Sequence, residues 1–330
     1  MTQPIDSSTP LSIWSNHGFT PAGLEQLTKG IGRHQLLRPA KSQSSNLAAA
    51  GRDPQALTCD VAFGQPDPLD ILESKTLKWV HLTSAGYTRY ERKDLRDALP
   101  ARPLPLTTSS TVFAEPCAQH LLAMIMGLAR DLPTALARER EHMWDSKCLR
   151  ATPYLIQNQT ILLVGYGSIA ARLAAMLAPM NPTMIGFRRT PRGDESIKTL
   201  PLSELDAHLP TADQVVNILP AAEGTNGFFS AERMSKFKRG TRFYNIGRGS
   251  TVDQTALVEA LTTNHISNAY LDVTDPEPLP KGHPLWIAPD CHITPHTAGG
   301  FRGEEQVLIE HFLTNLRRFE GKSDLLDRVI

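Results

Sequence analysis

Three charged residues of complementary chemistry each stand just beyond a strand-like run. Arg248 lies in Asn245-Ile246-Gly247-Arg248-Gly249, Glu277 in Pro276-Glu277-Pro278-Leu279-Pro280 after Leu271-Asp272-Val273, and His296 closes Thr294-Pro295-His296. An Arg can grip a carboxylate and polarise the carbonyl beside it, a His can exchange a hydroxyl proton, and a Glu can orient the imidazole and stabilise its protonated form. Each alone has an ordinary explanation: an Arg facing a surface carboxylate, a Glu in a Pro-rich loop, a His capping a turn. The weight rests on the combination, because in a doubly wound sheet the carboxyl ends of the strands share one ligand crevice.

A fourth segment supplies a place for phosphate. Gly165-Tyr166-Gly167-Ser168-Ile169-Ala170 fits G-x-G-x-x-G/A, directly after the apolar run Thr160–Val164 and at the start of a helical pattern, Ile169–Leu177. The first Gly permits the tight turn, the second lets backbone N–H groups approach a pyrophosphate, and Ala170 lets the helix lie close to the sheet. The helix N-terminus adds the positive end of its dipole. Gly-x-Gly turns also occur without a dinucleotide, so the strand before and the helix after carry the argument.

The next strand pattern, Thr183–Phe187, ends at Gly186-Phe187-Arg188-Arg189-Thr190-Pro191-Arg192. Dinucleotide-binding domains specific for NAD place Asp or Glu there, on the adenosine ribose. Here the position holds Arg188, with Arg189 and Arg192 following. Forked guanidinium donors suit a 2′-phosphate, so the sequence predicts NADP(H) as the preferred cofactor and NAD(H) as the lesser alternative. A solvated basic loop is the plainer reading of the same residues.

The elements that must position these groups alternate along the chain. Strand-like runs at Leu11–Trp14, Val61–Gly64, Trp79–Thr83 and Leu104–Thr107 precede an apolar helical segment, Ala118 to Arg130, with Glu115-Pro116 near its start. After the charged stretch Arg138 to Lys147, a second alternation begins at Thr160 and continues with strands at Val215–Leu219, Arg242–Ile246 and Ala269–Val273 and helices at Ala231–Lys236 and Gln254–Leu261. A last segment, Glu304 to Phe319, carries Val307, Leu308, Phe312, Leu313 and Leu316 at helical spacing. The stretch with Lys41–Asn46 and Gly51–Pro54 is polar and turn-rich. The pattern is α/β with parallel sheets, and 330 residues suggest two domains.

Composition narrows the function classes. Thirty-four Lys and Arg balance 34 Asp and Glu, with 41% hydrophobic and 21% charged residues. Such a chain lacks the field that attracts nucleic acid or an anionic membrane. The longest apolar run, Leu121 to Ala129, falls well short of the roughly 18–20 residues that cross a bilayer, so no transmembrane helix is expected. Residues 1–28 contain no Lys or Arg and no apolar stretch of signal-peptide length, which predicts a cytoplasmic protein. Cys59, Cys117, Cys148 and Cys291 are too scattered for C-x-x-C sites and read as free thiols, and no metal is expected.

Together these segments resemble the D-isomer-specific 2-hydroxyacid dehydrogenase family. The match runs from Ser84-Ala85-Gly86-Tyr87, through Phe113-Ala114-Glu115 and its helix, to Ser323-Asp324-Leu325-Leu326, and is weakest before about Cys59. The resemblance implies a Rossmann dinucleotide-binding domain inserted into a discontinuous flavodoxin-like substrate domain, with bounds near 1–117, 118–299 and 300–330. It implies Arg248 as substrate clamp, His296 as acid/base and Glu277 as its partner. It also implies backbone amides at Ala85 and Gly86 on the substrate carboxylate. Gly165, Gly167, Ser168, Ile169, Arg188, Arg189, Leu219, Pro220, Gly247 and Asp272 are implied on the cofactor, Asp272 on its nicotinamide side.

Glu277 stands where formate dehydrogenases of that family carry Gln, and the Gly86 loop lacks the Lys of phosphite dehydrogenases. Arg188 and the run 277–280 look more like NADPH-dependent glyoxylate/hydroxypyruvate reductases. The expected activity is reduction of a small 2-oxo acid, by a homodimer formed through the helix at 118–130 and the arm holding Trp144. One rival is a nucleotide-sensing regulator, since the same family includes transcriptional corepressors that keep this fold and the Arg/Glu/His set. Turnover of 2-oxo acids separates the two. A methyltransferase with a similar turn would need an acidic residue on its cofactor ribose and would leave the trio without a task.

Overall fold

The structure is a computed structural model that describes residues 9–39, 51–99, 102, 104–222 and 224–330. The turn-rich stretch Lys41–Asn46 lies outside the described residues. The chain divides into two compact units, Met1–Phe113 with Phe301–Ile330, and Ala114–Gly300. The second is therefore an insertion in the first.

The first unit holds a parallel sheet of five strands, β1 (Ser12–Trp14), β2 (Gln35–Leu37), β3 (Val61–Gly64), β4 (Trp79–Leu82) and β5 (Leu106–Thr107), in the order β2-β1-β3-β4-β5. This is the doubly wound flavodoxin-like order. Every residue of β3 and β4 is buried, as expected of parallel strands covered on both faces. The C-terminal helix Glu304–Glu320 provides part of that cover. Its Phe312 ring stacks on Phe63 at 4.0 Å between centroids and on Trp79 at 5.4 Å, with Leu308, Ile309, Leu313 and Leu316 buried around it. Val307, expected on this face, is 44% exposed; Ile309 takes the buried position instead, because the stripe follows the helix's own rotation.

The second unit holds seven parallel strands, β6 (Thr160–Val164), β7 (Thr183–Arg188), β8 (Thr199–Pro201), β9 (Gln214–Asn217), β10 (Thr241–Asn245), β11 (Ile266–Leu271) and β12 (Cys291–Ile293). Their order is β12-β11-β10-β9-β6-β7-β8, the Rossmann arrangement extended by one strand. The winding reverses between β6 and β9, which pair in register from Ile161 on Gln214 to Val164 on Asn217. At such a switch point the connections leave in opposite directions and open a crevice beyond the strand ends.

The helix expected from Ala118 starts at Ser110 and runs to Ala129, so Pro116 falls inside it and cannot donate to the Val112 carbonyl. By length and composition this helix is apolar enough to cross a bilayer, unlike the short run read from the sequence. Its Ala118, Leu121, Ile125 and Ala129 are buried in a core shared with Leu163, Tyr166 and Leu173. Those contacts make it a core helix.

Candidate active site

The phosphate-binding turn forms as its glycines require. Gly165 follows β6 with φ +97°, a left-handed conformation that strains any other residue, and a Cβ there would meet the Ile218 carbonyl carbon at 2.7 Å. A Cβ on Gly247 would meet the Leu219 carbonyl oxygen at 2.4 Å. The backbones of Gly165, Ile218-Leu219 and Gly247 thus converge beyond β6, β9 and β10, at the switch point. Around Gly167, by contrast, a Cβ would find open space, and no side chain caps the helix Ser168–Leu177 that begins there. Its first N–H groups are left for an anionic ligand, with Ser168 and Ile169 in its first turn. Pro220 is exposed beside buried Leu219. These residues fit a dinucleotide.

Arg188 is the last residue of β7, at the place read from the sequence. Its Nη1 donates to Glu195 Oε1 at 3.2 Å, a pairing that sequence reasoning missed. Arg189 is exposed.

Arg248 is set by a buried amide cluster. Asn217 Nδ2 donates to Asn245 Oδ1 at 3.0 Å and to Thr251 Oγ1 at 2.7 Å; the same Asn245 oxygen accepts from Gly247 N at 3.0 Å, and Asn245 Nδ2 donates to the Arg248 carbonyl at 3.2 Å. Two Asn residues at the ends of adjacent strands were the available signal. The Arg248 guanidinium donates to the neighbouring Gly247 carbonyl at 2.6 Å and makes no ion pair among the described residues. Burial lowers its pKa from the ordinary value, against the opposing pull of Glu277 and Cys117. A half-buried cation that makes no ion pair is a seat for an anionic group.

A Cβ on Gly249 would meet the Thr274 carbonyl at 2.0 Å, so the Arg248 turn lies directly against the segment leading to Glu277. Glu277 Oε1 accepts from Thr274 N at 3.1 Å, and Oε2 sits 2.8 Å from His296 Nδ1. Burial pushes the Glu277 carboxyl up, but the His296 contact, the Thr274 N–H and Arg248 outweigh it and hold the group below its usual value.

His296 has φ +53°, rare for a residue with a side chain. Asp272 holds it there. Its carbonyl accepts from His296 N at 2.8 Å, Oδ1 accepts from Thr297 N at 2.9 Å and Thr294 Oγ1 at 2.5 Å, and Oδ2 accepts from Ala298 N at 3.0 Å. Asp272, expected on the nicotinamide, is 3% exposed and commits both oxygens to this turn. Behind it, Tyr270 OH bonds both Thr294 Oγ1 and His120 Nε2, an extension that no sequence motif signals.

Ala85 and Gly86 lie in the loop after β4 of the first unit, where Ser84 Oγ donates to the Gly86 carbonyl at 2.7 Å and accepts from Gln65 Nε2 at 3.1 Å.

The chain matches the family described as D-isomer specific 2-hydroxyacid dehydrogenase, NAD binding domain, over residues 122–298. It is 32% identical over 240 residues, 71% of this chain and 73% of the relative, to glyoxylate/hydroxypyruvate reductase B of Escherichia fergusonii. An uncharacterised protein of Corynebacterium melassecola is 36% identical over 177 residues, 53% of this chain but only 58% of that one. Among solved structures, a D-isomer specific 2-hydroxyacid dehydrogenase from Xanthobacter autotrophicus Py2, in complex with NADPH and MES, superposes with a TM-score of 0.78 at 26% identity, covering 98% of both chains. With more than half its length matched by the family's nucleotide domain and both sheets in the expected order, the chain belongs to the D-isomer specific 2-hydroxyacid dehydrogenase family.

Proposed function

We propose that this protein is an NADPH-preferring reductase of small 2-oxo acids of the glyoxylate or hydroxypyruvate type. The observation that carries the reading is the pairing of His296 with Glu277 beside an Arg248 that makes no ion pair among the described residues. The Escherichia fergusonii relative supports the substrate class and the Xanthobacter structure, with its NADPH, supports the cofactor.

The Gly165–Ile169 turn, Arg188, Arg189, Leu219, Pro220 and Gly247 would hold a reduced nicotinamide cofactor, which would supply the hydride for a substrate carbonyl carbon. Arg248 holds the substrate carboxylate and draws electron density from the carbonyl oxygen. His296 keeps Nδ1 on Glu277, leaving Nε2 to deliver the proton to the carbonyl oxygen, while the Glu277 carboxylate stabilises the imidazolium. Asp272 fixes the His296 turn and stands as the proposed contact on the nicotinamide side. The exposed apolar side chains of Leu132, Leu136, Met143, Trp144 and Leu155 support a homodimer through this arm.

The test is a panel of 2-oxo acids assayed with NADPH and NADH in parallel. The reading predicts turnover of glyoxylate or hydroxypyruvate with higher kcat/KM for NADPH. No turnover with any 2-oxo acid would overturn it, and would favour the nucleotide-sensing alternative.

A further inference from the structure

Glu195 lies seven residues after Arg188, on the loop that follows β7. Three donors converge on its carboxylate. Oε1 accepts from Arg192 N at 2.7 Å and from Arg188 Nη1 at 3.2 Å, and Oε2 accepts from Gly193 N at 2.8 Å. The side chain is 7% exposed and that of Arg188 is 23% exposed. Two backbone N–H groups and a guanidinium are what a phosphate would recruit. In this chain an internal carboxylate already takes them. The guanidinium groups of Arg189 and Arg192 make no ion pair among the described residues and are the other arginines of the loop.

We propose that Glu195 is a specificity-determining residue that weakens the chain's discrimination in favour of a 2′-phosphorylated adenosine ribose. The proposal rests on the reading that Arg188 meets that ribose. A second anion beside Arg188 is repelled by the carboxylate and finds the loop's N–H donors engaged. An unphosphorylated ribose meets no such repulsion, and its 2′-hydroxyl has a carboxylate to which it can donate. The Arg192 N–H, the Gly193 N–H and Arg188 outweigh burial and lower the Glu195 pKa, so the group keeps its charge at neutral pH. Glu195 thus offsets the preference that the three arginines alone would produce, and NADH remains a usable cofactor.

Two fragments report on the ribose without any turnover: adenosine 2′,5′-bisphosphate and adenosine 5′-monophosphate. Their dissociation constants are measured by calorimetry on the full chain at one ionic strength. Glu195→Gln removes the charge and should tighten the bisphosphate by roughly five- to tenfold while moving the monophosphate less than about twofold. Glu195→Ala should act with the same sign. Asp194→Asn, which removes an exposed charge next door, should leave the ratio of the two constants unchanged. The proposal is overturned if the Glu195 variants move both fragments by one factor, if they weaken the bisphosphate, or if Asp194→Asn reproduces their effect. Arg188→Gln tests the underlying reading separately: it should weaken the bisphosphate alone, and an unchanged bisphosphate constant would remove Arg188 from the ribose and the proposal with it.

Discussion

Glu277 Oε2 stands 2.8 Å from His296 Nδ1, while the other oxygen of the same carboxylate is tied to the Thr274 N–H at 3.1 Å. The carboxylate is therefore fixed before it meets the imidazole. Glu277→Gln keeps the shape and removes the charge that stabilises the imidazolium, so the pH at which 2-oxo acid reduction declines should move down. A pH–rate profile of kcat/KM checks this. An unaltered profile would leave Glu277 a purely structural role.

Arg248→Lys should reduce kcat/KM for 2-oxo acids by roughly two orders of magnitude or more, because one ammonium cannot reproduce a forked grip on carboxylate and carbonyl. The Asn217–Asn245–Thr251 cluster bonds the backbone of this turn rather than the guanidinium, so the fold should survive the change. Circular dichroism alongside steady-state kinetics separates the two effects. Near wild-type efficiency would show that Arg248 is not the clamp.

Acid stability should be limited in part by His81. Its ring is fully buried between Phe63, Trp79, Phe312 and His311, with Nδ1 2.7 Å from Thr107 Oγ1 and Nε2 3.2 Å from Ser109 Oγ. Burial holds its pKa well below the usual value, His311 adds to the effect and Asp327 opposes it. The unfolded chain takes up a proton near pH 6.5 and the folded chain does not. This contribution to stability is therefore present above that pH and lost as pH falls below it, by up to about 1.4 kcal/mol per pH unit until the folded value is reached. Urea unfolding from pH 8 to pH 5 should show that slope, and His81→Gln should flatten it. An equal slope in the variant would contradict the assignment.

Trp144 is 95% exposed on the arm that also exposes Leu132, Leu136, Met143 and Leu155. If this surface is covered by a second copy, Trp144→Glu should lower the mass measured by sedimentation velocity toward one chain. A wild type that sediments as a single chain would exclude the dimer.

The turn at Gly165–Ala170 and the ends of β6, β7 and β10 were legible in the sequence to within a residue, because the signals are local: an apolar run, then a glycine where the backbone must reverse. Two strands, β2 and β8, were not read at all and β12 was read only as an unbounded run before Thr294; each has three residues. All three lie at sheet edges, where half-covered short strands do not need a continuous apolar run. Glu195 was missed for a different reason. Its meeting with Arg188 depends on how the loop from 189 to 195 closes, and no periodicity encodes that. The links from Asp272 through Thr294 and Tyr270 to His120 join residues up to 174 positions apart, so nothing local marks them.

His296 is the proposed proton donor of a 2-oxo acid reductase. The most direct measurement follows NADPH oxidation by wild type and His296→Ala with glyoxylate and hydroxypyruvate, together with the NADPH dissociation constant of each. The expected result is turnover by the wild type, a loss of about 10²–10⁴-fold in kcat in the variant, and NADPH binding that is nearly intact. Equal turnover by the two proteins would contradict it.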